Sequence, residues 1–193
     1  MREKTLENIV LEIKDKSELM VDLAYSSILY DNKIIAEEVY DLEDLVDTLY
    51  QNLQKKSLED VKNGIHTVDD ALTLLRIAHA GEQIADAAQE IADVELRDVE
   101  LHPILKMSIR ESDIVFSRIK VGQESILCGK TLGQLKLASE TGMMIIAMRH
   151  KNKWLYGPNK NTKIDADDIL YAKGPEDGEK HLIDLAKGKS KKI

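Results

Sequence analysis

Two groups of residues in this 193-residue chain have the types and spacing to do chemistry. The first is acidic. Glu43 and Asp47 stand four apart, and His79, Glu82 and Asp86 fall at i, i+3 and i+7, so each set shares one face of a helix. Carboxylates and an imidazole projecting from neighbouring helices are how bundle cores hold divalent cations. The same spacing also fits a solvated edge, or carboxylates paired with a base such as Arg76. Spacing alone leaves both readings open. The second group is cationic. Arg149 and His150 close an apolar run, Lys151 and Lys153 follow, and Asn159 and Lys160 occupy a nearby turn. A fixed guanidinium grips a phosphate through two parallel hydrogen bonds, and lysines beside it add positive field. A small anionic ligand suits Arg149, His150, Asn159 and Lys160. An exposed charged hairpin is the other reading.

Other chemistry finds little support. The five histidines (His66, His79, His102, His150 and His181) are scattered without catalytic spacing, so an enzyme is not expected. Gly129-Lys130-Thr131 looks like the end of a phosphate loop, but Glu124 stands where the upstream glycine is needed. Cys128 is the only cysteine, which rules out an intrachain disulfide and a thiolate zinc cluster, and it reads as a small apolar filler. The net charge is −8 and no basic surface is interleaved with aromatic residues, so nucleic acid is not an expected partner. Met1–Asn8 is too charged for the apolar part of a signal peptide, and no run approaches the ~20 apolar residues that cross a bilayer. A cytoplasmic location is the expectation.

The elements that must position these residues fall in two halves. Residues 1–100 carry 10 Lys and Arg against 24 Asp and Glu, whereas residues 101–193 carry 17 against 11. The break lies at His102-Pro103, where helical periodicity gives way to short β-like runs. We read residues 1–102 as a helical domain, 103–112 as a linker or short helix, and 113–193 as a small α/β domain, an α+β chain overall.

In the first half three helices are expected. Leu6, Ile9, Val10, Ile13, Met20, Leu23 and Ile28 stripe a helix over about 3–29. Asp31-Asn32 signals a turn and cap. Ile35, Val39, Leu42, Val46, Leu49 and Leu53 form a narrow seam over about 33–55. Thr67 and Asp70 form a capping box that opens a third helix to about Glu100, whose Ala-rich part allows close helix approach. A thin bundle of this kind hides its remaining apolar surface most easily against a second copy, so a homodimer or higher homo-oligomer is expected.

In the second half, Asp113–Val121 alternates as a half-buried strand. Thr131-Leu132-Gly133-Gln134 is a capping box opening a short helix to about Ser139, stopped at Gly142. Met143–Met148 reads as a central strand, Trp154-Leu155-Tyr156 as a hairpin return, Ile169–Ala172 as a last strand, and about 176–186 as a final helix. The order is β-α-β-β-β-α. The tail Lys187–Ile193 reads as a frayed basic end.

Two resemblances follow from these residues. Glu43-Asp44-Leu45-Val46-Asp47 and Glu82-Gln83-Ile84-Ala85-Asp86-Ala87-Ala88 resemble the two acidic motifs of PhoU-type three-helix bundles, with Ala85 where that family has glycine. The likeness covers about residues 5–95, and it implies that Glu43, Asp47, Glu82 and Asp86, with His79 beside them, could hold iron or zinc. One bundle stands here where full PhoU proteins carry two, so phosphate-regulon signalling is not implied. Ser125–Leu135, Gly142–Arg149, Pro158 and Ile164–Gly174 resemble, in order and spacing, the TrkA-C (RCK-C) domain of potassium-transport regulators. That family's domain dimerises and binds small ligands, cyclic di-AMP among them, and it commonly follows a Rossmann domain. No G-x-G-x-x-G stands here, so NAD or ATP control through a Rossmann site is not expected. The resemblance implies a non-enzymatic regulator of potassium or other cation transport, with a membrane transporter or channel as partner. A metal-binding scaffold or phosphate-related regulator is the alternative.

Overall fold

The computed structural model describes residues 5–97, 103–104, 114–151 and 153–190. The chain divides into two compact units, Met1–Lys106 and Met107–Ile193. Most of the expected linker 103–112, residues 98–100 of the stretch expected as the third helix, and the last three tail residues lie outside the described residues.

The first unit is the expected bundle: α1 spans Leu6–Leu29, α2 Lys33–Lys62 and α3 Val68–Leu96. Each N-terminus is closed by a side chain that accepts from orphan backbone donors. The Thr5 hydroxyl accepts from Asn8 N, and Asn32 Oδ1 accepts from the N–H groups of Ile34 and Ile35. The Thr67/Asp70 capping box is complete in both directions. α2 runs one and a half to two turns beyond the end read from sequence, because the polar stretch to Lys62 still buries Ser57 and Asp60, with Lys56 Nζ 3.4 Å from the Asp60 carboxylate.

The seam of α2 is buried at Ile35, Val39, Leu42, Val46 and Leu53. α3 answers it with small residues only: Ala71, Ala78, Gly81, Ala85, Ala88 and Ala92. Small side chains let helix axes approach closely. A Cβ on Gly81 would lie 2.8 Å from Ile13 Cγ2 of α1, so that crossing requires glycine.

The second unit holds a four-stranded antiparallel sheet in the order β1-β4-β2-β3. The strands are β1 (Ile114–Lys120), β2 (Met144–His150), β3 (Lys153–Tyr156) and β4 (Ile169–Pro175). The expected helix after Thr131 is two short ones, α4 (Leu132–Leu135) and α5 (Leu137–Thr141), divided at Lys136, whose φ of 47° is left-handed. The Thr131/Gln134 capping box is formed as expected. α6 spans Glu176–Ala186.

One sheet face packs under the helices in an aliphatic core that includes Ile119, Leu127, Leu135, Ile145, Met148, Leu170 and Leu182. The aromatic residues Phe116, Trp154, Tyr156 and Tyr171 belong to none of it and contact one another instead, Trp154 lying 4.9 Å from Tyr171 between ring centres. Among the described residues, no helix is long and apolar enough to cross a membrane.

Candidate functional sites

The acidic candidates lie along the edge where α2 and α3 run antiparallel. Three contacts fix their register: Tyr40 Oη donates to the Asp93 carboxylate (2.9 Å), Gln89 Nε2 donates to Glu43 Oε2 (3.1 Å), and the Tyr50 and His79 rings stack with centres 5.9 Å apart. Glu43, Asp47 and Asp86 therefore crowd one stretch of the edge. Burial raises the Glu43 carboxyl above its ordinary range, and the charges of Asp47, Asp44 and Asp86 push it further. His79 and Glu82 form a separate pair one to two turns earlier on α3, Nδ1 to Oε2 being 3.1 Å.

A bound divalent cation would relieve the crowding at Glu43, but the donor set falls short. Among the described residues, no three His, Cys, Asp or Glu side chains group closely enough to hold a metal ion. The five residues singled out from sequence thus split into a carboxylate cluster and a His–Glu pair, and as arranged they do not fit an iron or zinc centre.

The cationic candidates also split. Arg149, on β2, carries its guanidinium over the Trp154 ring of β3, 5.5 Å from its centre. His150, next on the strand, directs Nδ1 to Asp168 Oδ1 at 2.5 Å. Asp168 is only 2% exposed, and its other oxygen accepts from Asp165 N (2.8 Å). Both residues serve to hold the sheet end and the 165–168 turn.

Asn159 and Lys160 stand elsewhere, on the rim of a cleft of about 230 Å³ between α4, α5 and the start of β2. Its walls include Leu137, Met144, Ile145 and Pro158, and Lys136 reaches it from the helix break. The 158–163 loop is tied down against α4. Gly133 N donates to Lys160 O (2.8 Å), and Leu132 N donates to Thr162 O (2.9 Å). Asn159 Oδ1 accepts from Asn161 N (2.9 Å), which closes an Asx turn. A Cβ on Gly133 would sit 2.8 Å from Lys160 O, so the loop seats only against glycine.

A cleft with an apolar floor, lined also by Lys136, Asn159 and Lys160, suits a flat, partly apolar ligand with an anionic group. Sequence reasoning found Asn159 and Lys160 but missed Lys136. In the linear chain Lys136 reads as an ordinary surface lysine of one continuous helix, and no glycine or proline marks the break. Cys128 is half-buried, its Sγ 3.2 Å from Gly122 O, and its thiol is pushed up first by burial and then by Asp165, Asp168 and Asp167, as befits a filler and not a nucleophile.

The PhoU domain matches residues 10–94, and the TrkA-C domain matches residues 116–187. The probable potassium channel protein 2 of Methanocaldococcus jannaschii is 29% identical over 83 residues, which is 43% of this chain and 24% of that protein. The chain therefore spans about a quarter of this curated relative. Two solved structures are similar. One, the RCK_C domain dimer of S. agalactiae BusR in complex with c-di-AMP, is 24% identical at a TM-score of 0.38, over 40% of this chain and 96% of that one. The other, the RCK C domain of the potassium transport protein KtrA in complex with c-di-AMP, is 18% identical at a TM-score of 0.35, over 42% and 93%.

Proposed function

For a chain that joins a PhoU domain to a TrkA-C domain, we propose the role of a non-enzymatic regulator of potassium or other cation transport. Its TrkA-C domain binds a small anionic ligand, a nucleotide such as cyclic di-AMP. The partner is a membrane cation transporter or channel, a reading supported by the likeness to an archaeal potassium channel protein. The carrying observation is the cleft with Asn159, Lys160 and Lys136 at its rim, inside the TrkA-C match. Arg149 and His150 act one step back, by holding the hairpin and the 165–168 turn.

Calorimetric titration with cyclic di-AMP, and with ATP and AMP as comparisons, tests this. Lys136→Ala and Lys160→Ala should each weaken binding about tenfold, the loss expected for one charge-assisted contact to a phosphate. Arg149→Ala should weaken it less. No measurable binding of any of the three ligands overturns the sensor reading.

A scaffold role with iron or zinc on the α2–α3 edge is the second reading. The crowding of Glu43, Asp47 and Asp86 favours it, and the lack of a three-ligand group among the described residues counts against it. Elemental analysis decides. Stoichiometric iron or zinc that is lost in Glu82→Ala/Asp86→Ala establishes this reading, and metal well below one ion per chain removes it.

A further inference from the structure

The fully buried residues of helix α3 are all small, and two of its isoleucines face out. Toward α1 and α2 it buries alanines and Gly81. On another side, Ile77 is 54% and Ile84 47% exposed, Ala80 and Ala87 are exposed, and Ile91 and Val94 are half-buried. These six residues step by three and four in alternation, the a and d positions of a heptad. An apolar seam of this length facing water marks an interaction surface.

The flank of the seam names the occupant. Asp69, Arg76, Gln83, Glu90 and Arg97 recur every seven residues along it, and all are exposed. The opposite flank is buried in the bundle at Gly81 and Ala88, which carry no charge. A parallel pairing sets the charged flank against the Gly81/Ala88 flank, so Arg76 and Glu90 find no opposite charge there. An antiparallel pairing sets the exposed flank against itself. With a two-fold axis at Gln83, Arg76 meets the partner's Glu90, and Asp69 meets the partner's Arg97. Ile77 then faces the partner's Ala87, and Ile84 faces the partner's Ala80, large against small. The apolar contact rests on these four, since Ile91 and Val94 fall opposite the partner's Thr73 and the partner's Asp70. A shift of one heptad sets Arg76 against Arg97, or Asp69 against Glu90, like charge against like. Arg97 already pairs with Asp93 on its own helix, so the Arg76–Glu90 pair carries the register.

We propose that a second copy of this chain packs on this face, α3 against α3 in antiparallel orientation about a two-fold axis at Gln83. The assembly is self-complementary, as a two-fold interface must be. It leaves the Glu43–Asp86 edge on the other side of α3 uncovered.

The test uses the full chain with Cys128→Ala, so that one cysteine can be introduced at a time. Gln83→Cys, treated with a short bis-maleimide, should give a covalent dimer, and Gln51→Cys on the outer side of α2 should not. Arg76→Glu turns two attractive pairs repulsive and should raise the dissociation constant of this interface about five- to tenfold. Arg76→Glu/Glu90→Arg should restore it. Each substituted α3 position is solvent-exposed, and circular dichroism checks that helix content is kept. Cross-linking at Gln83 no better than at Gln51 overturns the interface. A charge reversal without effect, or a double reversal that does not rescue, overturns the register.

Discussion

Gly133 and Lys160 meet backbone to backbone: Gly133 N donates to Lys160 O at 2.8 Å, and a Cβ on Gly133 would stand 2.8 Å from that same oxygen. This contact seats the loop that carries Asn159 and Lys160 against α4, and so defines one wall of the cleft. Gly133→Ala must push the loop away. We expect a stability loss of about 1–3 kcal/mol, as for overpacking, and weaker cyclic di-AMP binding than in Leu132→Met, which changes shape without adding a clash. Thermal melts and calorimetry read the two effects.

His150 and Asp168 close the end of the sheet. Asp168→Ala removes the acceptor of Asp165 N–H and the partner of His150 from a site that is 2% exposed. A cost of about 1–2 kcal/mol is expected, because two hydrogen bonds to a buried carboxylate are lost while their donors, on exposed residues, turn to water. His150→Ala should cost less, since the histidine side chain is half exposed. Urea denaturation of the two variants checks the ranking.

Glu43 makes the bundle's stability depend on pH. Its carboxyl is raised by burial and by Asp47, Asp44 and Asp86, so the protonated form is favoured in the folded state. For a group raised on folding, its contribution is full below the unfolded value and is lost as pH rises through the folded one. At pH 7 the charged carboxylate therefore opposes folding. Glu43→Gln keeps an acceptor for Gln89 and should stabilise the helical unit by a few tenths of a kcal/mol at pH 7, after solvent screening. The gain should vanish below about pH 4, where Glu43 is protonated in both states. Melts at the two pH values show whether the sign is right.

Gly81→Ala tests the packing of α3 on α1. Alanine adds about 1 kcal/mol of helix propensity over glycine. Its methyl group would press on Ile13 Cγ2, a branch held close to the α1 backbone and unable to swing away. The clash should win, with a net loss of about 1–2 kcal/mol. A pronounced rise in melting temperature instead would show that α1 can retreat.

Much of this molecule was legible locally. The Thr67/Asp70 and Thr131/Gln134 capping boxes, the Asn32 cap, the α2 seam and the strand alternation of β1 all depend on residues within a few positions of each other. The charge change near Pro103 falls close to the division between the two compact units. The candidate site was legible only in part. Arg149, His150, Asn159 and Lys160 looked alike as cations and a turn amide near one hairpin. Trp154 and Asp168 engage the first two, and the loop seated on Gly133 brings the last two to a cleft.

The sequence by itself determined the two halves, the helices with their caps, the strands and their opposite charge, because periodicity, capping and composition act over short separations. Only the tertiary structure decided which side of α3 is inside. Both its alanine side and its isoleucine side are apolar, and periodicity alone ranks neither. The close approach of α1 at Gly81 admits only the small residues, and the isoleucines are left facing out. The strand order β1-β4-β2-β3 and the bringing of Lys136 and Lys160 to one cleft were decided the same way, by contacts between segments apart in the chain.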